Sequence, residues 1–139
     1  VHQKVDRKIL HDRAQEFPRY DERLTSQSYR YAYSISLGGD HGDFDVAGHE
    51  LFKHDLETGE TLTRHFGETR HPGEFVFVPR SEDAGEDEGW LIGLVIDAEN
   101  ETTELTILNA DDFLGEPQAV IHVPHRIPPG FHGNWVPTA

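Results

Sequence analysis

The chain has 139 residues, a length that fits one domain or part of one. Its 26 acidic residues against 12 basic ones give a formal net charge of -14, which repels phosphate backbones, so we expect no nucleic-acid partner. Cysteine is absent and no apolar run could span a bilayer, which excludes disulfides, thiolate metal sites and transmembrane segments, and we expect a soluble, cytoplasmic, prokaryotic protein.

Short apolar segments bounded by Gly, Pro, Asp and Asn predict an all-β protein in which helix is scarce. Glycine at positions 38 and 39 favours a turn after the first strand, and Gly59 suits the left-handed position of a hairpin. Residues 111–114 are expected to form a single turn. In chain order, the strands are expected at 29–37, 50–55, 60–66, 74–78, 90–97, 104–109 and 119–123.

The spacing of these strands fits a sandwich, a barrel or successive blades of a propeller, and periodicity alone does not choose among them. With four strands in a blade, 139 residues amount to roughly two to three blades, too few to close a ring. Open strand edges would then favour self-association. The chain opens on Val1 and His2 with neither an initiator methionine nor a signal peptide, which indicates a piece of a longer polypeptide.

His132 stands out among the ten histidines. It lies within 127–135, where two prolines fix φ and two glycines permit close backbone approach, so its ring is expected to be held inside. It is either a buried histidine satisfied by a backbone carbonyl or a metal ligand, which would need a carboxylate on a neighbouring strand. The surroundings of His54, His65 and His71 are polar and typical of a surface.

Two glutamates are flanked by residues that prefer burial. Glu16 precedes Phe17 and Pro18, and Glu74 begins an apolar strand. Each is either buried, in which case an ionised carboxylate needs a partner, or exposed at the start of a strand. The acidic segment 40–45 is interpreted as a polar loop, since it lacks the spacing of an EF-hand. The acidic segment 82–88 is interpreted as a solvated loop.

Seven motifs, in this order and from about residue 7 to the end, resemble the carotenoid cleavage oxygenase family. That family includes carotenoid, apocarotenoid and lignostilbene dioxygenases and the retinal pigment epithelium isomerohydrolase. The motifs are Glu16-Phe17-Pro18-Arg19, Tyr29-Arg30-Tyr31-Ala32-Tyr33, Lys53-His54-Asp55-Leu56-Glu57-Thr58-Gly59, Gly73-Glu74-Phe75-Val76-Phe77-Val78-Pro79-Arg80, Glu86-Asp87-Glu88-Gly89-Trp90-Leu91, Glu104-Leu105-Thr106-Ile107-Leu108-Asn109-Ala110 and Phe131-His132-Gly133.

The resemblance implies that residues 1–139 are the C-terminal segment of a seven-bladed β-propeller whose axis carries Fe(II) held by four histidines. His132 matches the last iron ligand, and Glu16 and Glu74 match glutamates that hydrogen-bond to ligand histidines. We expect Glu74 to accept a hydrogen bond from His132 and Glu16 to serve a ligand outside the chain. Phe131 and Trp135 either shape the substrate tunnel near the metal or simply pack the last blade.

The resemblance also implies oxidative cleavage, by dioxygen, of a conjugated double bond of a carotenoid or apocarotenoid into two carbonyl products. A stilbene-cleaving dioxygenase is the alternative within the family. Since the other iron ligands belong to upstream blades, the isolated chain is expected to be inactive. The alternative of another class is a binding module without chemistry that uses the aromatic strand at 29–33 as its contact surface.

Overall fold

The computed structural model describes residues 4–38 and 47–137, so the polar loop expected at 40–45 lies outside the described residues. A short 3-10 helix at Glu22–Leu24 follows the first strand, and no helix in the described ranges is long and apolar enough to cross a membrane. The strands are β1 (Gln15–Arg19), β2 (Tyr31–Leu37), β3 (Ala47–Asp55), β4 (Thr61–His65), β5 (Arg70–Pro79), β6 (Gly89–Asp97), β7 (Thr102–Asn109) and β8 (Ala119–Val123).

The strands form two antiparallel sheets of four, in the orders β1-β2-β3-β4 and β5-β6-β7-β8. We call them blade 1 and blade 2. Each strand pairs with the one before it, so each blade is a simple meander. This arrangement confirms the predicted all-β class and is consistent with part of a propeller. The expected self-association through strand edges stays a prediction.

The seven expected strands are all present, six with shifted ends and the last at its predicted bounds, and Gly59 has the left-handed φ of 78° expected in the hairpin between β3 and β4. Strand β1 was not predicted. Its five residues contain a proline, and Phe17 has a positive φ of 53°, so the strand lacks the regular alternation on which a prediction depends.

A one-residue bulge in β1 determines which face its side chains occupy. Glu16 pairs with Ile35 and Arg19 pairs with Tyr33, so three steps along β1 match two steps along β2. Because Ile35 and Tyr33 are two residues apart, they lie on the same face of the sheet. The bulge therefore places Glu16 and Arg19 together on the face that turns toward blade 2.

Strand β5 carries a corresponding bulge. Pro72 pairs with Val95 and Phe75 with Gly93, so again three steps match two, and Glu74 lies inside the irregular stretch. Each blade thus begins with a strand that is bulged at a glutamate. Bulges of this kind re-aim a side chain away from the regular pleat.

The hydrophobic core lies between the blades. A Cβ on Gly93 would come within 2.5 Å of the Phe75 ring, so only glycine permits this close approach. Tyr33 is 1% exposed and belongs to this core, so it is not available as part of the contact surface considered at 29–33, whereas Tyr29 is 38% exposed. The buried members are Tyr33, Ile35, Leu51, Phe75, Phe77, Leu91, Val95, Leu108, Ala110 and Phe113.

The interpretation of 82–88 as a solvated loop is wrong in part, since its end caps blade 1. Glu86 accepts hydrogen bonds from the backbone N–H groups of Arg30 and Tyr31 at 2.5 and 2.7 Å. Asp87 accepts one from the Tyr33 hydroxyl at 2.9 Å. These contacts cross from one blade to the other and fix their relative position.

Candidate functional site

The carboxylate of Glu74 is surrounded by donors. Its Oε1 lies 2.8 Å from Arg19 Nε and 3.1 Å from His132 Nδ1. Its Oε2 accepts from the Gly133 N–H at 2.7 Å and from Arg19 Nη2 at 3.0 Å. The side chain is only 6% exposed, so a buried anion is fully hydrogen-bonded here, as its burial requires.

The hydrogen bond expected between His132 and Glu74 is therefore present. With Nδ1 donating its hydrogen to a carboxylate, a neutral imidazole carries its lone pair on Nε2, which is the form that binds metals. Within 4–38 and 47–137, no hydrogen-bond partner of Nε2 is found. The edge of the ring packs against Phe17, with 5.5 Å between the ring centroids.

The expectation that the His132 ring is held inside is wrong for this chain, because its side chain is 72% exposed. The segment after β8 is irregular and crosses the bulged strands, so it contacts the blades on one side only. Proline and glycine restrict the backbone of this segment, but they do not bury it. The alternative of a buried histidine satisfied by a backbone carbonyl is excluded as well.

Glu16 lies at the bulge of β1, half-buried, and lines the same cleft as Glu74 and His132. In the part of the chain that the structure describes, its carboxylate makes no hydrogen bond or ion pair. The two glutamates therefore differ, since Glu74 faces a permanent cation and Glu16 does not. The expectation that Glu16 serves a ligand outside the chain stays a prediction.

Phe131 and Trp135 flank the histidine and are 79% and 54% exposed. Phe131 meets the edge of Phe17, with the ring centroids 6.4 Å apart. The alternative that both residues simply pack inside the last blade does not agree with this exposure. Their role in a substrate tunnel stays a prediction.

A cleft of about 980 Å³ runs beside these residues along the outer face of blade 2. Its walls are mainly apolar, and Glu16, Glu74 and His132 lie together at the end formed by the two bulges. A concave apolar surface with a few convergent polar groups is typical of a small-molecule site. The lining includes Glu16, Phe17, Glu74, Val76, Ile92, Leu94, Ile96, Leu105, Ile127, Phe131, His132 and Trp135.

Arg19 is the site residue that the sequence analysis missed. It binds both oxygens of Glu74 although 55 residues separate the two in the chain. A signal was available, since a buried ionised glutamate needs a cation and Arg19 lies in the same motif as Glu16. The surface assignment of His54 is also wrong, because it is 6% exposed and hydrogen-bonds to Gln15 and Thr61.

The electrostatics of Glu74 follow from these contacts. Burial raises the pKa of Glu74, but the hydrogen bonds from Arg19, Gly133 and His132, together with the charge of Arg19, outweigh it. The pKa of Glu74 is therefore lower than its ordinary value, and the hydrogen bonds that Arg19 donates to Glu74 raise the pKa of Arg19. Glu74 is a carboxylate at neutral pH and acts as a hydrogen-bond acceptor.

This lowered pKa has a measurable consequence. The stability that the charged carboxylate contributes is present at neutral pH and is lost as the pH falls through the lowered pKa of Glu74. We expect the side-chain carboxyl ¹³C resonance of Glu74 to titrate with a midpoint below about 4.3, the ordinary value for glutamate. The variant Arg19→Met should move the midpoint upward. A wild-type midpoint at or above the ordinary value would contradict the assigned hydrogen bonds.

Within the described ranges, no group of three or more His, Asp or Glu side chains could hold a metal ion by itself. The residues present nevertheless fit one ligand position of an iron site, because His132 is oriented by a carboxylate and its Nε2 has no hydrogen-bond partner among the described residues. Neutral imidazole is a suitable ligand for iron.

Comparison with known proteins decides the family. The family model described as retinal pigment epithelial membrane protein matches residues 1–137. The chain is 37% identical over 129 residues to a carotenoid cleavage oxygenase of Mycobacterium tuberculosis, covering 91% of this chain and 25% of that protein. This chain belongs to the carotenoid cleavage oxygenase family.

Other members of the family are similar to this chain over a comparable range. The apocarotenoid-15,15'-oxygenase of Synechocystis is 34% identical, covering 96% of this chain and 27% of that protein. The solved structure of the cobalt-substituted Synechocystis enzyme has a TM-score of 0.88 at 32% identity, covering 97% of this chain and 28% of that chain. A resveratrol cleavage oxygenase of Aspergillus fumigatus is 35% identical, covering 93% of this chain and 28% of that protein.

The chain spans about a quarter of the length of the curated relatives it matches. The family match confirms the resemblance found in the sequence motifs. The all-β partial propeller is confirmed as well, since the solved relatives share these two sheets. The relatives named here are oxygenases, which places the chain in an enzyme family.

Proposed function

We propose that this chain is part of an iron-dependent oxygenase that cleaves a conjugated double bond of a carotenoid or apocarotenoid, and that His132 is one of its iron ligands. The observation that carries the proposal is the hydrogen bond between His132 Nδ1 and Glu74, which leaves Nε2 as the lone-pair donor beside an apolar cleft. A histidine of a non-catalytic binding module has no need of this arrangement.

The residues have distinct roles in this proposal. Glu74 fixes the tautomer and orientation of His132 and raises its basicity as a ligand. Glu16 orients a second ligand histidine contributed by another part of the enzyme. When bound, Fe(II) would supply the redox chemistry by which dioxygen converts an alkene into two carbonyl products.

The cleft supports an extended apolar substrate. Its walls are aliphatic and aromatic, and Phe131 and Trp135 stand at the end near His132, where they would exclude water and shape the wall of a tunnel. Two relatives cleave resveratrol by name, so a stilbene is the second candidate substrate. Both substrates are conjugated and apolar, and the cleft accepts either class.

The test is a hybrid in which this chain replaces the matched segment of the Synechocystis apocarotenoid oxygenase, which supplies the ligands expected in other blades. We expect the hybrid to bind about one iron per polypeptide and to cleave an apocarotenoid, with a stilbene assayed in parallel. The isolated 139-residue chain, assayed alongside, should cleave neither, because the described residues form no group of three or more side chains that could hold the iron.

The native Synechocystis enzyme is the positive control for assay and iron content. A folded hybrid that lacks iron and cleaves neither substrate would contradict the proposed function. Cleavage by the isolated chain would contradict the proposed division of the iron ligands among blades.

A further inference from the structure

The contacts of Arg19 connect the two bulged strands to the segment that carries His132. Its Nε and Nη2 bind the two oxygens of Glu74 at 2.8 and 3.0 Å, and Nη2 also donates to the carbonyl oxygen of Gly133. Its Nη1 donates to Glu22 at 2.5 Å. The side chain is 15% exposed, so one nearly buried guanidinium holds groups from three separate parts of the chain.

The three partners, Glu74, Gly133 and Glu22, together accept hydrogen bonds from Nε, Nη1 and Nη2 of this guanidinium. Arginine presents its five N–H donors in a rigid fork, which matches a carboxylate and fixes its plane. The bidentate contact leaves Glu74 with a single orientation, in which Oε1 faces His132 and Oε2 faces the Gly133 N–H. The backbone of Gly133 is held from both sides, by Glu74 at its nitrogen and by Arg19 at its oxygen.

We propose that Arg19 is a positioning residue for the metal ligand: acting through Glu74 and Gly133, it sets the orientation of the His132 ring. This inference rests on the proposed function, because only there does the ring have a metal to face. Apart from Arg19 and His132, no described side chain donates to the Glu74 carboxylate, and the one backbone donor, the N–H of Gly133, belongs to the segment that carries His132.

Because His132 is 72% exposed, packing alone does not orient its ring. Phe17 contacts one edge, and the remaining restraint is the hydrogen bond to Glu74. Loss of Arg19 would leave a carboxylate that is 6% exposed without its permanent cation, and such a group turns toward water or takes up a proton. The His132 ring and the Gly133 N–H would then lose the carboxylate that accepts a hydrogen bond from each of them.

The test uses the 139-residue chain without metal and compares Arg19→Met and Arg19→Lys with the wild type. In Arg19→Met we expect hydrogen exchange of the Gly133 amide to accelerate by at least about tenfold relative to core amides. The ring ¹⁵N shifts of His132 should change from a fixed Nδ1–H tautomer to an average of both tautomers. Arg19→Lys should lie between, because an ammonium group cannot bridge both carboxylate oxygens in one plane.

Arg23→Met is the matched control. Arg23 also binds a buried carboxylate, that of Asp21, with contacts of 2.9 and 2.6 Å, and it donates to carbonyl groups of 81, 82 and 84 across the blade boundary. It does not contact the segment that carries His132. We expect this variant to lower the melting temperature while it leaves the Gly133 exchange rate and the His132 ring shifts as in the wild type.

The inference is overturned if both Arg19 variants keep wild-type His132 ring shifts and Gly133 exchange, or if Arg23→Met changes them as much. Arg19→Lys keeps the positive charge, so it carries the same test should Arg19→Met fail to fold. These readouts need no metal. Iron retained after loss of His132 in the hybrid would contradict the proposed function. Unchanged His132 ring signals in the Arg19 variants would contradict only the positioning role of Arg19.

Discussion

His132→Ala in the Synechocystis hybrid is expected to lower iron affinity by more than about 100-fold. The substitution removes a ligand, so its effect should exceed the roughly 10 to 100-fold loss typical when only a hydrogen-bond partner of a ligand is removed. The fold should remain, because the ring is 72% exposed and contributes little packing. Metal analysis by plasma emission spectrometry, with circular dichroism as the check on folding, measures the result.

His65→Ala is the matched control for this experiment. The side chain of His65 is 69% exposed and lies near Glu50, on blade 1 and outside the cleft. Iron content of the control should equal that of the unmodified hybrid. If the two histidine variants retain iron equally, His132 is not a ligand.

A variant of Glu74 distinguishes the effect of losing the hydrogen-bond partner from the effect of losing the ligand His132 itself. Glu74→Gln keeps the size of the side chain and removes the negative charge, so we expect an intermediate loss of iron affinity, roughly 10 to 100-fold, with the fold kept. Normal iron content together with normal turnover would show that the carboxylate does not tune the site.

Lys53→Met is expected to destabilise the 139-residue chain by about 3 kcal/mol. Lys53 is 7% exposed, and its Nζ lies 2.5 Å from Asp87 Oδ2 and 2.7 Å from the carbonyl oxygen of Ala110. The ammonium also lies 4.6 Å from the centroid of the Tyr31 ring. Methionine keeps the apolar stem but leaves Asp87, between the blades, without its cation.

Urea unfolding followed by tryptophan fluorescence measures this loss. Lys4→Met is the matched control, since Lys4 forms a 2.8 Å ion pair with Asp6 but is 84% exposed. An exposed pair of this kind contributes little, and we expect a change within about 0.5 kcal/mol. Equal effects of the two substitutions would show that the contact between Lys53 and Asp87 does not hold the blades together.

Local patterns predicted most of the fold. The short apolar segments 90–97 and 119–123 are strands, because their β-branched and apolar residues and the turn residues that bound them agree with the sheet that forms. Strand β1 could not be predicted in this way, because its five residues, QEFPR, form no apolar segment and its bulge contains Pro18 and a positive φ at Phe17.

The site was predictable only in part. Motif resemblance identified Glu74 and His132, and the need of a ligand histidine for a carboxylate predicted their hydrogen bond. Exposure of His132 could not be read from its apolar neighbours, because burial depends on what covers a segment as well as on its composition. Arg19 was missed because its partner lies 55 residues away and no local pattern connects them.

The bulge in β1 makes the site dependent on the number of residues as much as on their identity. In a strand, each deletion or insertion reverses the face on which every later side chain emerges. If residues 16–19 paired regularly with β2, Arg19 would emerge on the face opposite to Glu16, away from Glu74, so the three-residue spacing of these side chains requires the bulge. The number of residues between the two side chains and the irregular backbone at Phe17 therefore have to change together if this strand is to keep both side chains in the site.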